Sequence, residues 1–81
     1  MIFKELRELH AIVKKLNCNK YAPKIGEYFP RMFSDGRWYV TYCFDDNPEL
    51  QRMEPILSYC LEHSLYAFFG SFNGKIGLFI Q

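Results

Sequence analysis

A chain of 81 residues encloses one small core and has no length for a second, which excludes multi-part enzymes. It is 49% hydrophobic and 23% charged, with ten Lys plus Arg against nine Asp plus Glu for a net charge of +1. That is too apolar for a disordered chain and far from the basic balance of a polyanion binder. Aromatic residues stand out at 19%, from eight Phe, six Tyr and one Trp, more than so small a core can bury.

Ile2, Leu6, Leu9, Val13 and Leu16 recur at spacings of four, three, four and three, so residues 2–16 predict an amphipathic helix with Lys4, Arg7, Lys14 and Lys15 off the apolar stripe. Asn17 to Lys20 end it, and the stretch through Pro23 and Gly26 reads as a loop. Asp35-Gly36 lies between the aromatic-rich runs 27–34 and 37–44 and predicts a hairpin closed by a two-residue type I′ turn. Asn47 is placed to cap a second helix beginning at Pro48 and carrying Leu50, Met53, Leu57, Cys60 and Leu61. Pro55, inside that run, implies a kink or a helix in two pieces ending near Ser64. Asn73-Gly74 joins 65–72 to 75–81 as a second two-residue hairpin.

The order is therefore αββαββ, and the expected fold is α+β: one domain over 1–81, a four-stranded antiparallel sheet with both helices on one face. The two turns lie 38 residues apart, and at that offset Tyr28, Gly36 and Arg37 match Tyr66, Gly74 and Lys75, a weak internal repeat.

Turn geometry sets register, and register sets faces. Around Asn73-Gly74, Ala67, Phe69, Ser71, Ile76, Leu78 and Ile80 share the face expected to meet the helices. Tyr66, Phe68, Gly70, Phe72, Lys75, Gly77, Phe79 and Gln81 share the other. The same rule around Asp35-Gly36 groups Phe29, Phe33, Trp38, Val40, Tyr42 and Phe44 as core, opposite Tyr28, Pro30, Met32, Tyr39, Thr41 and Cys43. Pro30 has no amide hydrogen for a ladder, which makes 27–34 an edge strand. The helix-free face is then expected to present Tyr28, Met32, Tyr39, Tyr66, Phe68, Phe72 and Phe79, with Lys75 at its tip. These eight residues are the candidate partner-binding set, because large exposed apolar patches mark interaction sites. Loop 17–26, with Tyr21 and Ile25, is the segment that could cover part of them.

Charge is uneven along the chain. Residues 1–24 hold six basic and two acidic side chains, net +4, whereas 45–64 hold five acids against Arg52, net −4. The structural expectation is attraction between the two helical regions; the functional one is a charged docking patch.

No constellation for catalysis emerges. Cys60 and His63 sit three apart but lack a second pair at metal-binding spacing, and Cys60 lies on the apolar stripe. Asp45, Asp46, Glu49 and Glu54 gather where a helix start attracts acids, and Gly70, Gly74 and Gly77 belong to a hairpin rather than a phosphate loop. The expectation is a protein that is not an enzyme and holds no cofactor and no metal. The N-terminus meets charge at Lys4 and apolar runs are strand-sized, so neither a signal peptide nor a membrane span is expected. Three cysteines, Cys18, Cys43 and Cys60, read as free thiols of a cytoplasmic protein.

Aromatic side chains on an open sheet also suit stacking of single-stranded bases, but the face supplies almost no Lys or Arg for phosphates. Nucleic acid is thus the weaker expectation and a homodimer with stacked sheet faces another alternative. The leading expectation is a non-catalytic module that binds a protein and masks a surface of a larger host complex. In kind, such a small domain resembles the compact inhibitors that phages and mobile elements use against bacterial defence systems, including anti-CRISPR proteins.

Overall fold

In the computed structural model, which describes residues 1–81, Leu6, Leu9 and Val13 line the buried side of α1, Phe3–Asn17. Ile2 is extended, and its N–H donates to Glu5 Oε1 at 2.9 Å. The acid three residues on thus satisfies a donor at the helix start. Glu5 in the first turn and Lys14 and Lys15 in the last complement the helix dipole.

Two hairpins follow, β1 (Ile25–Met32) with β2 (Trp38–Phe44) and β3 (Ala67–Phe72) with β4 (Lys75–Ile80). Between them lie a 3-10 turn, Leu50–Met53, and α2, Glu54–Glu62. The second helix is in two pieces and starts later than Asn47-Pro48 implied, because Pro55 falls in the first turn of α2, where its missing N–H costs nothing. It ends through Ser64, whose φ of 54° is left-handed and lets the Leu65 N–H reach Cys60 O at 2.8 Å.

The four strands form one antiparallel sheet in the order β1-β2-β4-β3, so the α+β fold in αββαββ order is observed. Asn73 and Gly74 have φ of 51° and 74°, as a type I′ turn requires, and the register Phe72↔Lys75, Phe69↔Leu78 and Ala67↔Ile80 is the expected one.

The first hairpin differs by one residue. Gly36 has a φ of 85° but Asp35 is not left-handed. The Asp35 carboxylate instead accepts the Arg37 N–H at 3.1 Å and Arg37 Nε at 2.7 Å. With Gly36 N–H on Phe33 O and Phe33 N–H on Arg37 O, the loop has three residues, a type I turn followed by a left-handed glycine. Pairing becomes Met32↔Trp38, Pro30↔Val40 and Tyr28↔Tyr42. A one-residue slip moves every β1 side chain to the opposite face. Tyr28, Pro30 and Met32 therefore share the helix-side face with Trp38, Val40 and Tyr42, and Phe29 and Phe33 leave it. A bulge at Ile25–Glu27 then turns Ile25 toward Phe44.

The core lies between helices and sheet: Leu6, Leu9 and Val13 of α1, Met53, Ile56, Tyr59 and Cys60 around α2, and Val40, Tyr42, Phe44, Leu78 and Ile80 of the two central strands. No ion pair joins the oppositely charged helical regions; Lys4–Glu8 and Arg52–Glu49 close within their own segments. The polar tie between helices is the Tyr59 hydroxyl donating to Glu8 Oε2 at 2.7 Å. Burial and this bond to Glu8 both hold the Tyr59 phenol above its ordinary pKa. Tyr59→Phe keeps the ring and removes the bond, so urea unfolding should show a loss of about 1 kcal/mol, and an unchanged midpoint would mean water replaces the contact fully.

Candidate functional site

Alternation along four paired strands leaves one face without helices. One row across it reads Phe29, Thr41, Phe79, Phe68, and the next Glu27, Cys43, Gly77, Gly70. Thr41 and Cys43 are 3% and 1% exposed although no helix lies over them; aromatic rings do. Strands β1 and β3 are three spacings apart, about 14 Å, yet the Phe29 and Phe72 rings meet at 5.0 Å. Both must lie flat across the small residues of β2 and β4.

The glycines make room for this. A Cβ built on Gly70 would stand 2.9 Å from Phe79 Cε2, and one on Gly77 would stand 3.2 Å from both Phe72 Cβ and Thr41 Cγ2. Phe68 stacks on Phe79 at 5.1 Å and 8°, Phe72 meets Phe79 edge-on at 6.0 Å, and Phe33 packs on Tyr39 at 4.6 Å. Between these groups lies a shallow depression of about 210 Å³ lined by Phe33, Tyr39, Phe68, Phe79, Ile80 and Gln81.

The rim is polar. Lys75 Nζ bonds Asp45 Oδ1 at 3.2 Å at one end, which raises the lysine pKa, and at the other the Arg37 backbone N–H and then its side chain donate to the Asp35 carboxylate and lower the aspartate's. Burial pushes the Cys43 thiol up, away from thiolate character.

Of the eight expected site residues, the structure brings six together: Tyr39, Tyr66, Phe68, Phe72, Phe79 and Lys75. Tyr28 and Met32 lie on the other side of the sheet, moved by the extra loop residue. Tyr28 packs on the His10 ring at 4.3 Å, and Met32 is opposite Trp38. Their places are taken by Phe29 and Phe33, expected in the core, and Arg31 joins the face beside Tyr39. The signal that could have found them is Asp35, whose side chain competes for the local backbone and favours the longer loop. Loop 17–26 does not cover the face: Tyr21 is exposed, and Ile25 packs against the helix-side core.

The other candidates separate. Cys60 is buried in the core and its thiol is pushed up to about 11 by burial, while His63 stacks on Tyr59 at 3.9 Å with Nδ1 against Tyr59 O. Asp45 pairs with Lys75 and Glu49 with Arg52. His10 lies between α1 and β1 against Tyr28 and Tyr42; its Nδ1 and the Tyr42 hydroxyl are buried without a hydrogen-bond partner. Compared with protein families, curated proteins and solved structures, the chain matches none.

Gly77→Val drives methyl groups into Phe72, Thr41 and Phe79 and should cost about 1–3 kcal/mol by overpacking, read as a lowered urea midpoint; a neutral result would show that the rings are free to lift. Burial and, after it, nearby Lys14 hold the His10 pKa below its ordinary value. The unfolded chain therefore binds the extra proton more readily, and stability should fall as pH drops through the unfolded histidine value, about 6.5. Comparing the wild type with His10→Phe at pH 7.5 and 5.5 isolates this contribution, and equal pH slopes would remove it.

Proposed function

We propose that the open sheet face is a docking surface for another protein and that the chain works by binding rather than by catalysis. The observation that carries this reading is the close-packed, helix-free sheet of rings, Phe29, Phe33, Tyr39, Phe68, Phe72 and Phe79, with charge confined to its rim. An apolar aromatic centre inside a polar border is the anatomy of protein interfaces, and rings already packed against one another lose little freedom on binding. Masking a surface of a larger host complex, as small phage and mobile-element inhibitors do, anti-CRISPR proteins among them, is the use of such a face that we favour.

The test is capture by chemical crosslinking with four baits: wild type, Phe68→Asp, Tyr39→Asp, and Leu61→Asp on the exposed side of α2. A partner held by wild type and Leu61→Asp and reduced at least tenfold by both face variants supports the reading, since central interface residues are worth about 2 kcal/mol or more. Equal capture by all four removes the face from consideration. A captured nucleic acid, with affinity falling steeply in salt, would replace the protein partner and assign Arg31 and the rings to phosphate and base contacts.

A further inference from the structure

The sheet has two edges, and they are built differently. In an antiparallel ladder, residues alternate between those bonded to the neighbouring strand and those whose N–H and C=O point away from it. Tyr66 and Gln81 exchange both backbone bonds, at 3.0 and 2.9 Å, so the bonded pairs of the second hairpin are 66↔81, 68↔79, 70↔77 and 72↔75. The outward groups of β3 are then those of Ala67, Phe69 and Ser71, and none of them has a partner among the loop or side-chain hydrogen bonds.

On β1 the Phe33 N–H on Arg37 O sets the same alternation, which leaves Tyr28, Pro30 and Met32 facing outward. Pro30 stands in the middle of that row with no hydrogen to give. Arg31 follows it, Glu27 lies three residues before it, and the bulge at Ile25–Glu27 bends the far end of the strand. These are the devices by which proteins close an edge to further pairing. β3 has none of them. From Tyr66 to Phe72 it carries no charge, no proline and no bulge, and Phe69 is left 39% exposed beside the core.

We propose that β3 is the seam at which a second copy of this chain adds, giving one sheet continuous across the pair. The occupant follows from the symmetry of the edge. An antiparallel two-fold through Phe69 sets Phe69 against itself and Ala67 against Ser71 of the second copy, so each outward donor meets an outward acceptor, for about six backbone bonds. On the open face the same register sets Phe68 against Gly70 and Tyr66 against Phe72. A ring thus covers a glycine, and no like charges oppose one another. A net charge of +1 per chain does little to hold copies apart. The seam engages Phe68 and Phe72 but leaves Tyr39, Phe79 and Phe29 open, so Tyr39 rather than Phe68 is the position that separates this pairing from the docking role above.

The experiment is solution mass by light scattering over a range of concentration, combined with amide hydrogen exchange on the intact chain. A dimer is expected, with the Ala67, Phe69 and Ser71 amides slowing as concentration rises while Tyr28 and Met32 do not. Phe69→Lys, which opposes two cations on the axis, should shift the equilibrium toward monomer by roughly tenfold or more. Ser71→Pro removes an outward donor without touching the hairpin ladder, so it should give a folded monomer by circular dichroism even if Phe69→Lys unfolds. Tyr39→Asp should leave the mass unchanged. A monomer at all concentrations overturns the proposal, as does a dimer whose three β3 amides exchange freely or one that survives Ser71→Pro.

Discussion

A single two-stranded hairpin is marginal in water, and this chain contains two. What makes them one structure is the ladder between β2 and β4, running from Val40↔Ile80 to Phe44↔Ile76. Its helix-side members, Val40, Tyr42, Phe44, Leu78 and Ile80, are the floor on which both helices rest. On its other face, Thr41, Cys43 and Gly77 form the low centre over which the Phe rings fold, Phe79 of the same ladder among them. One set of strand pairs therefore fixes the core on one side and the aromatic layer on the other.

The second hairpin was readable in full because Asn73 and Gly74 both tolerate positive φ, and only a two-residue turn uses that freedom twice. Asp35-Gly36 was ambiguous: it fits a type I′ turn, but an aspartate can also bond its own chain two residues on, and here it does so with Arg37. The repeat offset of 38 residues hid the difference, since the turn glycines align while the strands before them slip by one. Thr41 and Phe79, equivalent at that offset, pair directly, so β2 and β4 keep the symmetry that β1 loses. Pro30 marked its edge correctly for a reason independent of register: a strand with a missing donor has no place between two others.

The consequence for the site is specific. Tyr39, Phe68, Phe72 and Phe79 were legible because β2, β3 and β4 were placed correctly. Phe29 and Phe33 were lost with the slip, and Tyr28 and Met32 were gained in error. The space above Gly70 and Gly77 was not legible at all. Their φ is not left-handed, so no turn rule asks for glycine there; what asks for it is a ring from a neighbouring strand, and only the three-dimensional pairing brings that ring over them.

Trp38, the one tryptophan, has its backbone bonded in both directions to Met1, and the Phe3 ring stands 6.1 Å away. Its side chain belongs to the helix side of the sheet. The single indole therefore reports how the start of α1 is seated on β2, whereas phenol emission is shared between Tyr39 and Tyr66 on the opposite face and Tyr28, Tyr42 and Tyr59 on the helix side. Loosening of the first helix would be seen at tryptophan wavelengths, since Met1 and Phe3 are the neighbours of the indole-bearing residue.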